Sequence, residues 1–132
     1  MAGKVADASA ILSIIFKEPE RAEIARRLEG ARLVAPALLW FEIANSCVAK
    51  MRRHPEMRAG IFDAFLLQTE LAVETAHVDH TATLLLAERT GLTGYDASYL
   101  WLAQELDAEL VSLDRPLLRA AAALGLRVTS AP

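Results

Sequence analysis

The chain has 132 residues, of which 54% are hydrophobic and 23% charged, with a formal net charge of −3 and a pI of about 5.6. A chain of this length buries roughly two thirds of its unfolded surface, and its apolar residues are evenly spread, so we expect one domain covering residues 1–132. The acidic balance excludes a protein held to nucleic acid by a broad basic surface, and any such contact must be local.

The cysteine and hydropathy patterns indicate where the protein resides. Cys47 is the single cysteine and lies in an apolar run, which fits an inert buried thiol in a reducing compartment. No apolar run approaches the ~20 residues needed to span a bilayer, and the first residues lack a signal-peptide core. We therefore expect a soluble cytoplasmic protein that does not associate with a membrane.

Short apolar segments alternate with helical segments along the whole chain. Strands are predicted at residues 4–6, 32–35, 71–78, 110–113 and 126–129. Helices are predicted at residues 11–16, 20–28, 38–51, 56–68, 79–89, 94–106 and 116–124. Because no Asn-Gly hairpin turn separates the strands, this alternation predicts an α/β fold of three layers, a short parallel sheet flanked by helices on both faces.

Local signals mark several helix ends and faces. Asp79 is a good N-cap and Gly91 a good C-terminal stop for the helix between them. Thr93 and Asp96 have the spacing of a capping box. Helix 56–68 is expected to turn four apolar side chains inward, namely Ile61, Phe62, Phe65 and Leu66. The loop before that helix is expected to carry four basic residues, Lys50, Arg52, Arg53 and Arg58.

Three aspartates could project toward the edge of the sheet where ligands bind in parallel α/β folds, beyond the carboxyl ends of the strands. Asp7 follows the first predicted strand and Asp114 the fourth, while Asp96 begins the helix just before that fourth strand. Glu42 is the one acidic residue in an otherwise apolar helix start, and it lies at the boundary between the apolar and the polar part of that helix. These positions allow the four carboxylates to meet at one edge of the sheet.

Each acid also has an ordinary structural explanation. Asp7, Asp96 and Asp114 are good helix-capping residues, and Glu42 could be a plain surface residue. Together, however, four neighbouring carboxylates would repel one another and raise each other's pKa unless a cation compensated them. Oxygen ligands without a histidine or cysteine cluster favour Mg²⁺ or Mn²⁺ over zinc. No serine has the histidine and acid of a recognisable triad motif, so nucleophilic hydrolysis is unsupported.

Four motifs in order resemble those of the PIN-domain ribonucleases, specifically the VapC-type toxins of prokaryotic toxin–antitoxin pairs. They are VADASA, FEIAN, YDASY and LD, at residues 5–10, 41–45, 95–99 and 113–114. The resemblance implies that Asp7, Glu42, Asp96 and Asp114 build a Mg²⁺ or Mn²⁺ site. It also implies that Ser112 supports this site and that Asn45 helps to line the cleft. Ser9, two residues after Asp7, is a further supporting candidate.

The resemblance further implies metal-dependent hydrolysis of RNA phosphodiester bonds, a homodimer, and a cognate antitoxin that blocks the cleft. Candidates for contacts to the RNA backbone are basic residues, Arg115, Lys50, Arg52 and Arg53, although a solvated charged loop is an equal explanation for the last three. Trp40, Phe41 and Trp101 offer apolar surface for protein partners, and core packing is the competing explanation for them.

Three other functions compete with that of a nuclease. A PIN-like module that only binds RNA or protein would not need all four acids. A receiver-like signalling domain that binds Mg²⁺ would carry adjacent acids after its first strand and a lysine after its last. Here Asp7 is followed by Ala8, and the last predicted strand carries Arg127. The absence of a second acid near Asp7 also disfavours a phosphatase of the Asp-x-Asp type.

Overall fold

A four-stranded parallel sheet lies at the centre of the fold, which is taken from a computed structural model that describes residues 3–128. The strands are β1 (Gly3–Ala6), β2 (Arg32–Pro36), β3 (Glu74–Ala76) and β4 (Glu109–Val111). The helices are α1 (Ala8–Ile15), α2 (Arg21–Leu28), α3 (Leu38–Arg53), α4 (Arg58–Leu66), α5 (His80–Thr90), α6 (Gly94–Leu106) and α7 (Arg115–Ala123). The strand order is β3-β2-β1-β4, and each neighbouring pair is parallel.

Helices cover both faces of this sheet. Helix α6 packs against β1, β2 and β4 and is flanked by α5 and α7. Helix α2 packs against β4 and α3 against β2, while α1 lies between α2 and α3. Val5, Leu110 and Val111 are fully buried, as expected for parallel strands that are covered on both sides. The three-layer α/β/α architecture predicted from the sequence is confirmed.

The helix-end signals are also confirmed. The Asp79 side chain accepts a hydrogen bond of 2.9 Å from the backbone N of Ala82 at the start of α5. Gly91 ends that helix with a φ of 76°, a left-handed conformation that glycine adopts without a Cβ penalty. The Thr93 hydroxyl caps α6 by accepting from the backbone N of Asp96 at 3.1 Å, which is one of the two hydrogen bonds of the predicted capping box. Local chemistry therefore determines where these helices begin and end.

The third (71–78) and the fifth (126–129) of the predicted strands are shorter in the structure than predicted. Only Glu74–Ala76 of the predicted strand 71–78 pairs with β2, because a 3₁₀ helix occupies Leu67–Leu71 and Ala72 is left-handed with a φ of 49°. At the end of the chain, Val128 forms an isolated parallel bridge with Leu110 in place of a strand. Residue 129 of that prediction lies outside the described residues.

Helix α4 departs from the predicted helix 56–68. A 3₁₀ turn at Pro55–Met57 precedes it, and it ends at Leu66. Ile61 is buried, but Phe62 and Leu66 are 44% and 46% exposed, so the prediction that these two face the core is wrong. Ile61 and Phe65 occupy the inner stripe of the helix, and Phe62 and Leu66 form the neighbouring stripe, which the rest of the domain leaves uncovered.

The basic residues expected in a loop belong to helices. Lys50, Arg52 and Arg53 lie in the last turn of α3, and Arg58 begins α4. Positive charge is favourable at the C-terminal end of a helix, where it opposes the macrodipole. Lys50 also lies over the ring of Phe16, 4.9 Å from its centroid. The predicted loop placement is therefore wrong.

Cys47 is buried, and this burial raises the pKa of its thiol, as expected of an inert cysteine. In residues 3–128, none of the helices combines the length and the apolar character that crossing a lipid bilayer requires.

Candidate active site

The strand order reverses direction between β1 and β4, and an open parallel sheet is expected to form a crevice at such a point. From β1 the chain proceeds outward to β2 and β3, and it then returns to place β4 on the other side of β1. Ligands of open α/β sheets bind at such a switch point, beyond the carboxyl ends of the two strands. Asp7 directly follows β1, and Ser112 to Asp114 directly follow β4, so two of the predicted acids flank this crevice.

Asp7 is the most buried of the four acids, with 5% of its surface exposed. Its Oδ1 accepts hydrogen bonds from the Ser9 hydroxyl at 2.7 Å and from the backbone N of Ala10 at 3.1 Å. Its Oδ2 accepts from the Ser112 hydroxyl at 2.5 Å. Burial raises the pKa of Asp7, the three hydrogen bonds oppose this rise, and the Asp114 carboxylate adds to it.

Ser112 and Ser9 connect the ends of β1 and β4. The fully buried Ser112 hydroxyl donates to Asp7 and accepts from the backbone N of Asp114 at 2.9 Å. The Ser9 hydroxyl donates to Asp7 and accepts from the backbone N of Leu113 at 2.8 Å. The two serines therefore fix the segment that carries Asp114 relative to Asp7.

Asp114 and Asp96 both lie at helix starts, and each is only partly exposed. Asp114 is the N-cap of α7 and accepts from the backbone N of Leu117 at 3.3 Å. Asp96 is the third residue of α6, just after its cap Thr93. Burial raises the pKa of Asp96, the Asp114 carboxylate raises it further, and the Thr93 hydroxyl lowers it. Thr93 rather than Asp96 therefore caps α6, and the Asp96 carboxylate in the first turn lies close enough to Asp114 to be influenced by its charge.

Glu42 is half-buried on α3, where the Tyr99 hydroxyl donates a hydrogen bond of 2.5 Å to its Oε1. Burial raises the pKa of Glu42, the Tyr99 hydrogen bond lowers it, and the Asp7 and Asp96 carboxylates raise it. Tyr99 was not recognised as a site residue from the sequence. Its position three residues after Asp96, on the same face of a helix, was the available signal.

The electrostatic influences link the four acids in a closed ring. The negative charge of Asp114 raises the pKa values of Asp7 and Asp96, and the charges of Asp7 and Asp96 raise the pKa of Glu42. Four neighbouring pairs therefore repel one another, namely Asp7–Asp114, Asp114–Asp96, Asp96–Glu42 and Glu42–Asp7. Within residues 3–128, none of the four forms an ion pair with a lysine, arginine or histidine. Four mutually repelling carboxylates without a basic partner make a site that a cation would stabilise.

The donor set fits Mg²⁺ or Mn²⁺. As the side chains stand, no three acidic, histidine or cysteine residues in the described part of the chain are grouped closely enough to hold one ion together. A magnesium ion commonly takes only one or two carboxylates and completes its octahedron with water and substrate oxygens. The arrangement is therefore compatible with ions that use the acids in pairs, partly through water.

The remaining site candidates lie farther from the acids or make no polar contact to them. Asn45 is exposed one turn after Glu42 on α3. Arg115 is exposed beside Asp114, and no ion pair of Arg115 occurs among the described residues. Lys50, Arg52 and Arg53 lie in the last turn of α3, about 12–17 Å along the helix axis from Glu42 at 1.5 Å per residue.

The parallel α/β fold and the acidic residues at its carboxyl edge define an α/β protein with a candidate metal site. A family model described as "PIN domain" matches residues 4–123. The chain belongs to the PIN-domain family, whose members are typically nucleases that use divalent metal ions. Among curated protein sequences no significant match is found.

One solved structure with this fold is PAE2754 from Pyrobaculum aerophilum. The TM-score is 0.75 at 22% identity, over 97% of this chain and 84% of that chain. At this level of identity the similarity shows the fold alone.

Proposed function

We propose that the protein is a Mg²⁺- or Mn²⁺-dependent endoribonuclease and the toxin of a type II toxin–antitoxin pair of the VapC type. The observation that carries this proposal is the joining of Asp7 to the segment of Asp114 by the Ser9 and Ser112 hydroxyls at the carboxyl ends of β1 and β4, with Glu42 and Asp96 near enough to add to the same negative charge. Membership of the PIN family supports nuclease chemistry and RNA as its substrate. Such an enzyme would act in the cytoplasm, with its RNA.

The proposed roles of the side chains follow from their contacts. Divalent ions, when bound, would activate a water for in-line attack and stabilise the charge on the departing 3′ oxygen. Three hydrogen-bond donors hold the Asp7 carboxylate. Two of them fill both lone pairs of Oδ1, and the third takes one lone pair of Oδ2, so the other lone pair of Oδ2 remains available to bind a metal ion. Asp114 is held through Ser112, and Glu42 through Tyr99. The site would thus be preorganised on the ends of rigid elements.

Two sets of exposed apolar side chains support the proposed homodimer and antitoxin. Phe41, Leu84, Leu85 and Tyr95 are 57–75% exposed, and two of them, Leu84 and Tyr95, line a cavity of about 390 Å³. The second set, on and next to α4, comprises Met57, Phe62, Leu66 and Leu67. Patches of this kind mark surfaces for protein partners.

The tryptophans are different from Phe41. Trp40 and Trp101 are half-buried against the core, and the Trp40 indole donates to the Thr75 hydroxyl at 3.2 Å. Core packing therefore accounts for these two residues, and the proposed partner surfaces rest on the exposed apolar residues such as Phe41.

The proposal is tested with protein freed of any bound partner and incubated with a mixed RNA pool in Mn²⁺ or Mg²⁺. We expect cleavage by the wild type and a loss of about 10²–10⁴-fold in Asp7→Ala and Asp96→Asn, the size typical of removing a positioned catalytic group. Asp79→Asn is the matched control, because Asp79 is also a helix-capping aspartate but lies outside the acidic ring. Sequencing of the new RNA ends would identify the target.

Two results would contradict the proposal. Cleavage that persists in EDTA would exclude the metal mechanism, and cleavage that persists in Asp96→Asn would exclude its proposed site. Binding of RNA without cleavage under every metal condition would instead identify a catalytically inactive PIN-like module.

A further inference from the structure

Tyr99 places a polar group at the end of a deeply buried side chain. Only 1% of the residue is exposed, and its ring packs in the core as part of α6, which crosses β1, β2 and β4. Its hydroxyl donates to Glu42 Oε1 at 2.5 Å, across 57 residues of sequence. A buried tyrosine hydroxyl needs such a partner, and here the partner is one of the four acids.

The four acids differ in how they are held. Asp7 accepts three hydrogen bonds, and Asp114 accepts one from the first turn of its own helix. Among the described residues, Glu42 receives its one side-chain hydrogen bond from Tyr99. Glutamate has a longer and more flexible side chain than aspartate, so it depends more on such a contact to keep one orientation.

Tyr99 also connects Glu42 to the helix that carries another acid. Asp96 and Tyr99 are three residues apart on α6 and therefore lie on the same face of that helix. The hydroxyl fixes a carboxylate of α3 relative to the start of α6. It donates to Oε1 of Glu42, and no hydrogen bond to Oε2 occurs among residues 3–128, so Oε2 remains available to bind a metal ion.

We propose that Tyr99 is the positioning residue of Glu42, holding Oε1 so that the second carboxylate oxygen remains available to a divalent ion. This inference rests on the proposed function, because it concerns the same acidic site. Groups that orient metal ligands in this way typically change metal affinity by about 10–100-fold when they are removed.

The test measures Mn²⁺ binding to the full chain by calorimetry, in the absence of RNA. Tyr99→Phe keeps the buried ring and removes only the hydroxyl, and we expect it to bind Mn²⁺ about tenfold or more weakly than the wild type. Tyr95→Phe is the matched control, since Tyr95 lies on the same helix but is 65% exposed, and its affinity should be unchanged. Circular dichroism and thermal melting of both variants establish that they are folded.

A double variant separates positioning from packing. If Tyr99 acts through Glu42, adding Tyr99→Phe to Glu42→Gln should weaken Mn²⁺ binding by no more than about twofold further, because interacting residues are not additive. A further tenfold loss would show that Tyr99 acts by another route and would overturn the inference.

The remaining outcomes distinguish this inference from the proposed function. If the wild type binds Mn²⁺ and cleaves RNA but Tyr99→Phe binds as tightly as Tyr95→Phe, only the positioning role fails. If the wild type neither binds Mn²⁺ nor cleaves RNA, the proposed function fails and the positioning role with it.

Discussion

Replacing Ser112 by alanine removes the hydroxyl that connects Asp7 to Asp114. Ser112 is fully buried, donates to the Asp7 carboxylate at 2.5 Å and accepts from the backbone N of Asp114 at 2.9 Å. Losing a hydrogen bond to a charged group costs about 1.5–3 kcal/mol, and leaving the buried N–H without a partner costs about 1–3 kcal/mol. Because the Ser9 hydroxyl lies 3.4 Å from that of Ser112 and already contacts Asp7, partial compensation is expected.

The expected net loss of unfolding free energy is therefore about 3 kcal/mol, near the lower end of the summed range. For a domain of this size, a loss of that magnitude lowers the melting temperature by about 10 °C. Urea unfolding and thermal melting in EDTA measure both quantities without any contribution from bound metal.

Ser13→Ala is the matched control for this experiment. Ser13 is also fully buried, but its hydroxyl donates to a neutral acceptor, the backbone carbonyl of Ala10, at 2.7 Å. Its loss should cost only about 1 kcal/mol. If Ser112→Ala were no more destabilising than Ser13→Ala, the reasoning that Ser112 sustains a buried charged network would be refuted.

Three further results are expected for the acidic ring. In EDTA, burial and mutual repulsion raise the pKa values of Asp7, Glu42 and Asp96 in the folded protein. The contribution of these groups to the free energy of unfolding is therefore complete below the ordinary carboxyl pKa of about 4. It is lost as the pH rises through the raised folded-state pKa values. Urea unfolding should thus give a lower free energy at about pH 8 than at about pH 4, where the loss begins, and a flat or rising profile across this whole range would contradict the direction of the shifts. Asp96→Asn should raise the unfolding free energy in EDTA by about 0.5–2 kcal/mol, as neutralising a strained functional site often does, whereas an unchanged or lower value would argue against repulsion. Mn²⁺ at a hundredfold excess over its Kd should stabilise the wild type by about 2.7 kcal/mol in a thermal melt and Asp96→Asn far less, and equal stabilisation would locate the ion elsewhere.

Much of the fold was predictable because its signals are local. Asp79 and Gly91 bound α5, and Thr93 caps α6, through contacts between residues at most four apart. The same is true of Asp7 and Asp114, which cap α1 and α7 directly after β1 and β4. Strand alternation also predicted the layers, since parallel strands need helical crossovers.

The features that were missed depend on long-range packing. The hydrogen bond from Tyr99 to Glu42 joins two helices that are distant in sequence, and neither residue signals the other. The outward position of Phe62 and Leu66 depends on which stripe of α4 the domain covers. Strand β3 is shorter than predicted because a 3₁₀ helix extends to Leu71 and Ala72 adopts a left-handed conformation, so the chain becomes extended only after these residues.

A crystal of the protein soaked in Mn²⁺ and measured at the manganese absorption edge tests most directly whether the four acids hold a divalent ion. We expect one or two anomalous peaks about 2.0–2.6 Å from carboxylate oxygens of Asp7, Glu42, Asp96 or Asp114, or joined to them through one water. A crevice without a peak at saturating Mn²⁺, or a peak only elsewhere on the protein, would contradict the assignment of these acids as the metal site.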